Sequence, residues 1–125
     1  MANTSIVPRH LRVACGNATA AEVNAGKTIV PDRGDRQVVV VGGWLRALGG
    51  NAAGATSVDI TDTAASPVTV ASTAVGSLTQ NTVVSLSGAN LGVGLTAGKG
   101  LRITKTGSSL TGATSIDYCI WYAYV

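Results

Sequence analysis

The chain has no phenylalanine, one histidine and one methionine, and charged residues fill only 12% of its 125 positions. With His10 as the sole imidazole, no histidine-built metal cluster can form, and Cys15 and Cys119 alone supply too few ligands for zinc. His10 could serve a triad with a serine and an aspartate, but no Gly-x-Ser-x-Gly elbow occurs. Gly107-Ser108-Ser109-Leu110-Thr111 fails at its final position. No unbroken apolar run, Val38 to Val41 included, approaches the length of a membrane span. Met1-Ala2-Asn3-Thr4-Ser5 lacks the apolar core of a signal peptide, so synthesis in a cytosol is expected. There Cys15 and Cys119 should stay reduced. They fall in the first and last predicted strands and could be neighbours, but two small buried thiols is the preferred reading.

Charge is scarce and scattered. Arg9, Arg12, Lys27, Arg33, Arg36, Arg46, Lys99, Arg102 and Lys105 never form a run, and the net charge is +3. A nucleic-acid surface needs a basic stripe or stacking aromatics beside it, so no nucleic-acid partner is expected. From Thr63 to Gly98 there is no Lys, Arg, Asp, Glu or His. Exposed sheet edges usually carry charges that discourage pairing with other chains. A long neutral stretch of Val, Thr, Ser and Ala is therefore expected against a partner, including a second copy.

What the chain does have is strand signal. Val-, Ile- and Thr-rich segments at His10–Cys15, Lys27–Val30, Arg36–Leu48, Thr56–Thr61, Pro67–Val75, Thr82–Leu86, Gly100–Lys105 and Ser115–Tyr124 are separated by glycine-rich turns. Only Ala18–Ala25 can form a turn of helix. Seven or eight short strands predict one all-β domain, an antiparallel β-sandwich of jelly-roll type over residues 13–125, with an extended arm over 1–12. Leu45-Arg46 followed by Gly54-Ala55-Thr56-Ser57-Val58-Asp59 is echoed by Leu101-Arg102 and Gly112-Ala113-Thr114-Ser115-Ile116-Asp117, which predicts one hairpin used twice. The last strand holds four of the five aromatics. Its alternation places Tyr118, Tyr122 and Tyr124 on one face and Trp121 on the other.

The remaining motifs carry little chemistry. Asp59 with Asp62, and Asp32 with Asp35, are the nearest carboxylate pairs, and both read as turn or strand-end residues. In Gly92-Val93-Gly94-Leu95-Thr96-Ala97-Gly98-Lys99-Gly100 the first glycine is one residue too distant for a phosphate loop, and Gly100 replaces its hydroxyl. Arg33-Gly34-Asp35 matches an adhesion tripeptide but is explained by a tight turn. Asn3-Thr4-Ser5 and Asn17-Ala18-Thr19 match glycosylation sequons, which matter only on a secreted protein. No enzyme, cofactor or metal is expected.

The second half, from Thr96-Ala97-Gly98-Lys99-Gly100-Leu101-Arg102-Ile103 through Thr106-Gly107 and Gly112-Ala113-Thr114-Ser115 to the aromatic strand, resembles the decoration (cement) proteins of tailed-phage capsids. The resemblance implies a homotrimer on the outside of the phage head, made in the bacterial cytoplasm, that bridges major capsid protein subunits without a membrane. On that reading Ile6, Val7, Pro8, Arg9 and Arg12 are the candidate capsid contacts. Val68, Val70, Val83, Leu86, Trp121, Tyr122 and Tyr124 are the candidate oligomer interface. The alternative is a tail, neck or fibre component that binds host glycans, for which Trp44 beside Arg46 is the aromatic–polar pair outside the last strand.

Overall fold

A computed structural model describes residues 11–125. Eight strands form: β1 (Arg12–Thr19), β2 (Lys27–Val30), β3 (Val38–Leu48), β4 (Ala53–Asp62), β5 (Thr69–Ala74), β6 (Val83–Ser85), β7 (Leu101–Thr111) and β8 (Ser115–Tyr124). One short helix, α1 (Ala20–Ala25), links β1 to β2. The strands make two antiparallel four-stranded sheets, ordered β1-β8-β3-β6 and β2-β7-β4-β5. The first strand thus pairs with the last, the second with the seventh, the third with the sixth and the fourth with the fifth. That is one long antiparallel ribbon rolled into a sandwich, the jelly-roll connection.

The period-2 pattern of the strands explains what is inside. Val58 and Ile60 of β4, Leu101 and Ile103 of β7, and Ile116, Tyr118 and Ile120 of β8 are buried between the sheets, with Leu78, Leu86 and Leu95 from the connections. β3 breaks its own alternation. Val38 and Val40 face the core, the register against β8 shifts between Val40 and Gly42, and then Leu45 and Ala47 face inward. This bulge inverts the faces of the strand's second half. Gly43 permits it, because a Cβ there would run into the Cys119 backbone carbonyl.

Two expectations are corrected. The echoed segments are not hairpins, since β3 and β4 lie in different sheets, as do β7 and β8. Each echo is a corner where the chain passes from one sheet to the other, and the two corners pack together, Thr114 donating its amide to the Leu48 carbonyl at 2.9 Å. Cys15 and Cys119 are not separate buried thiols. They are register partners across β1 and β8, with Cα atoms 3.9 Å apart, joined as a disulfide, and Cys15 is exposed.

Helix α1 begins with a capping box: Glu22 donates its amide to the Thr19 hydroxyl and its carboxylate accepts from the Thr19 amide. Asn24 then ties the helix to β7. Its amide nitrogen donates to the Leu110 carbonyl at 3.3 Å and its oxygen accepts the Leu110 amide at 2.7 Å. Replacing Asn24 by Ala leaves both Leu110 backbone groups unpaired in a partly buried place. The expected loss is about 2 kcal/mol of unfolding free energy, read as a lower urea midpoint at unchanged slope.

Candidate functional site

The two sheets differ on their outward faces. On the β2-β7-β4-β5 sheet that face is hydroxylated: Thr28, Arg102 and Thr61 form one row, and Thr104, Asp59 and Ser72 the next. Ser57, Ser72 and Thr106 all donate their hydroxyls to Asp59, which is buried with Ser57 and Thr61. Such a face is stable against water.

The outward face of the β1-β8-β3-β6 sheet is built differently. Register defines its rows. Asn17, Asp117, Arg46 and Val83 make the first; Cys15, Cys119, Trp44 and Ser85 the second; Val13, Trp121 and Gly42 the third. Val13 is 56% exposed, Val83 54%, Val41 50% and Trp121 37%. A side chain at Gly42 would meet nothing within 4 Å, so the surface beside Trp121 is open. Beyond it lies a groove of about 490 Å³ lined by Gln37, Val39, Val41, Leu91, Gly92, Gly94 and Val125. Water gains little from contact with these side chains, and contiguous apolar surface of this kind marks an interaction site.

Charge on the face is confined to its first row. Arg46 Nη2 lies 2.8 Å from Asp117 Oδ2, and Asn17 donates to Asp117 Oδ1 at 2.8 Å and to the Ser115 hydroxyl at 2.9 Å. The Arg46 hydrogen bond, then the Asn17 hydrogen bond, hold the Asp117 carboxyl below its ordinary 3.8 against the opposing effect of burial. The Arg46 guanidinium also sits 5.6 Å over the Trp44 ring. The pair neutralises itself, so the face as a whole presents almost no field.

The predicted interface residues scatter over these surfaces. Val83 and Trp121 both lie on the outward face, but two strands and two rows apart, Val83 beside Arg46 and Trp121 beside Gly42. Val70 and Leu86, 1% and 7% exposed, are taken up by the chain's own core, and Val68 is half-buried against it. Burial thus removes Val70 and Leu86 as partner contacts. Tyr122 and Tyr124 point inward at the sandwich rim, half-buried and edge to face with ring centroids 5.7 Å apart. Of the capsid-contact candidates, Ile6, Val7, Pro8 and Arg9 lie outside the described residues, as does His10. Arg12 opens β1 with its guanidinium 5.4 Å from the Tyr124 ring centroid.

Other sequence motifs find plain roles. Arg33-Gly34-Asp35 sits in the exposed β2–β3 connection as a turn, with the Arg33 guanidinium 4.9 Å from the Tyr124 ring centroid. The Gly92–Gly100 stretch laces along β3: the Gly92 amide donates to Val40 and the Leu95 amide to Val38. Those two amides are therefore occupied. Among the described residues no three His, Cys, Asp or Glu side chains gather as a metal site, and no helix is long and apolar enough to cross a membrane.

Sequence reasoning missed Val13, Val41 and Trp44 as members of one face. The signal that locates them is the Gly42-Gly43 pair, which marks the bulge that turns Trp44 outward. Protein-family models, curated proteins and solved structures were compared with the chain, and none matches.

Proposed function

We propose that this chain is a structural subunit of a particle shell, a decoration protein that sits on the outside of a tailed-phage head and reinforces contacts between major capsid protein subunits. The observation that carries this reading is the polarised sandwich, with one outward face hydroxylated and self-satisfied and the other neutral and apolar. A freely dissolved domain of this size is better served by charge on both faces. A shell subunit needs a surface that is covered by neighbours, and many copies each adding a modest contact raise the barrier to rupture together. The resemblance of the second half to cement proteins supports the same reading, and it implies that copies associate, as a trimer.

Quantitative peptide mass spectrometry on purified particles tests it. A copy ratio to the major capsid protein near or somewhat below one to one is the expected result. Complete absence from particles overturns the virion reading. Deleting residues 2–8 should abolish attachment to the shell while leaving a folded oligomer, and retained attachment would remove the arm from the mechanism.

A second reading has its own observation. Trp44 and Trp121 share the outward face with Asn17, Asp117 and Arg46, a combination of aromatic surface and planar polar groups that suits a sugar ring. A tail or fibre subunit that binds host glycans would use it, and its copy ratio would be far below one to one.

A further inference from the structure

We infer that the outward face of the β1-β8-β3-β6 sheet is where copies of this chain associate, its occupant being a second copy. The inference rests on the assembly reading above but names a two-fold surface, one that pairs copies face to face in place of the trimer that the resemblance implies.

Area is the first argument. β6 has three residues against the eight, ten and eleven of β1, β8 and β3, so at about 3.3 Å per residue and about 4.8 Å per strand the face covers on the order of 500 Å² per copy, about 1,000 Å² for two, the threshold of a specific interface. The groove beside Val39 and Val41 adds a recess at one end, and Val93, 47% exposed, stands in the connection that forms its wall.

Charge is the second. Any surface that packs on a copy of itself brings like charges together unless they are already neutralised. The charges assigned to this face, Arg46 and Asp117, are bonded to one another at 2.8 Å, so stacking two copies brings no uncompensated charge into contact. A partner with a strongly charged surface would gain nothing here. The opposite sheet offers no comparable apolar surface, because its outward rows are Thr28, Arg102 and Thr61, then Thr104, Asp59 and Ser72.

The anchor is Trp121, flanked by Val13 on β1 and by the open surface over Gly42 on β3. A half-exposed tryptophan in an apolar ring, with a polar rim of Asn17, Asp117 and Arg46, is the arrangement that concentrates binding energy in few residues.

Sedimentation of the purified full chain tests this without any phage particle. The native protein should sediment as a concentration-dependent multiple of 12.5 kDa. Trp121→Glu and, separately, Val13→Glu should each return it to a single 12.5 kDa species with an unchanged far-ultraviolet circular dichroism spectrum. Thr28→Glu, on the opposite face, should leave the assembly intact. A native chain that stays monomeric up to about 100 μM, the Kd scale of weak contacts, overturns the inference. So does an assembly that survives both face variants. The arms separate the two proposals: a monomeric chain that is nonetheless abundant on particles gives this face to the shell and spares the decoration reading. An associating chain absent from particles does the reverse.

Discussion

Reducing the Cys15–Cys119 bond, or replacing both cysteines by serine, should lower the unfolding free energy by about 4–5 kcal/mol, the largest effect expected of any local change. The bond joins residues 104 apart, so in the unfolded chain it closes a loop spanning nearly the whole domain. Loop-closure entropy grows only logarithmically with length, and a loop of this size corresponds to about 4.7 kcal/mol at room temperature. For a domain this long the melting temperature should fall by about 20 °C, midway between the sensitivities of smaller and larger domains. Thermal unfolding with and without dithiothreitol gives the number. Thiol titration of the native protein should find no free sulfhydryl; two reactive thiols in freshly purified, folded material would put the cysteines back in their reduced form. The disulfide also fastens an edge strand to a central one, since among the described residues β1 has β8 as its one sheet neighbour. Local fraying of β1 should therefore rise on reduction, visible as faster amide exchange at Val13 and Asn17.

The second large effect is expected at Asp62. This residue closes β4 and is fully buried, yet it is ionised and satisfied. Its Oδ1 accepts amides of Ala64 at 3.2 Å and Val68 at 3.0 Å, and its Oδ2 accepts the Thr96 hydroxyl at 2.6 Å and the Thr96 amide at 3.3 Å. One carboxylate thereby holds both the β4–β5 connection and the long segment leading to β7. Asp62→Ala strands three amides and a hydroxyl, and should cost about 3–4 kcal/mol. Asp62→Asn keeps one acceptor oxygen and should fall between.

The pH dependence follows from the same contacts. Burial alone pushes the Asp62 carboxyl up, but the Thr96 hydroxyl and the Val68, Ala64 and Thr96 amides outweigh it, and the group is held below its ordinary 3.8. A folded value below the unfolded one means the carboxylate stabilises the fold above the unfolded value. That contribution is lost as pH falls through the folded value. Asp32, Asp117 and Glu22 are lowered too, so they add to the same acid limb. Stability against pH should fall steeply below about 4 in the native chain, and less steeply in Asp62→Ala. An identical acid limb in the two proteins would contradict this account of the carboxylate.

All eight strands and the short helix were legible, because Val, Ile and Thr cluster between glycines and because Ala20–Ala25 has Val23 as its one β-branched residue. Their ends were less so. β1 continues past Cys15 to Thr19 although Gly16 and Asn17 are turn formers, since pairing with β8 outweighs local preference. β7 likewise runs through Thr106-Gly107 to Thr111, where sequence alone places a turn, with an irregular register opposite Ala55. Which sheet each strand joins is decided by contacts far apart in sequence, and that is why two sheet-crossing corners looked like hairpins. The face itself was half legible. Trp121 and Val83 stood out, but Val70 and Leu86 have the same composition and are core. Nothing in a Val-Thr-Ser pattern says which side of the strand is wet until the bulge at Gly42 and the pairing of β3 are known.

The rolled ribbon has a consequence for how the molecule is made. β4 and β5 are adjacent in the chain and can pair as soon as both exist, whereas among the described residues β1, the first of the eight strands to be made, has β8, the last of them, as its sheet neighbour. Non-local pairings close late because their loop entropy must be met first. Until β8 has been made β1 therefore waits with an open edge, and the sandwich closes only afterwards. Oxidation of Cys15 with Cys119 belongs to that closing step, so the appearance of the bond marks the moment at which the earliest and the latest of the eight strands have found each other.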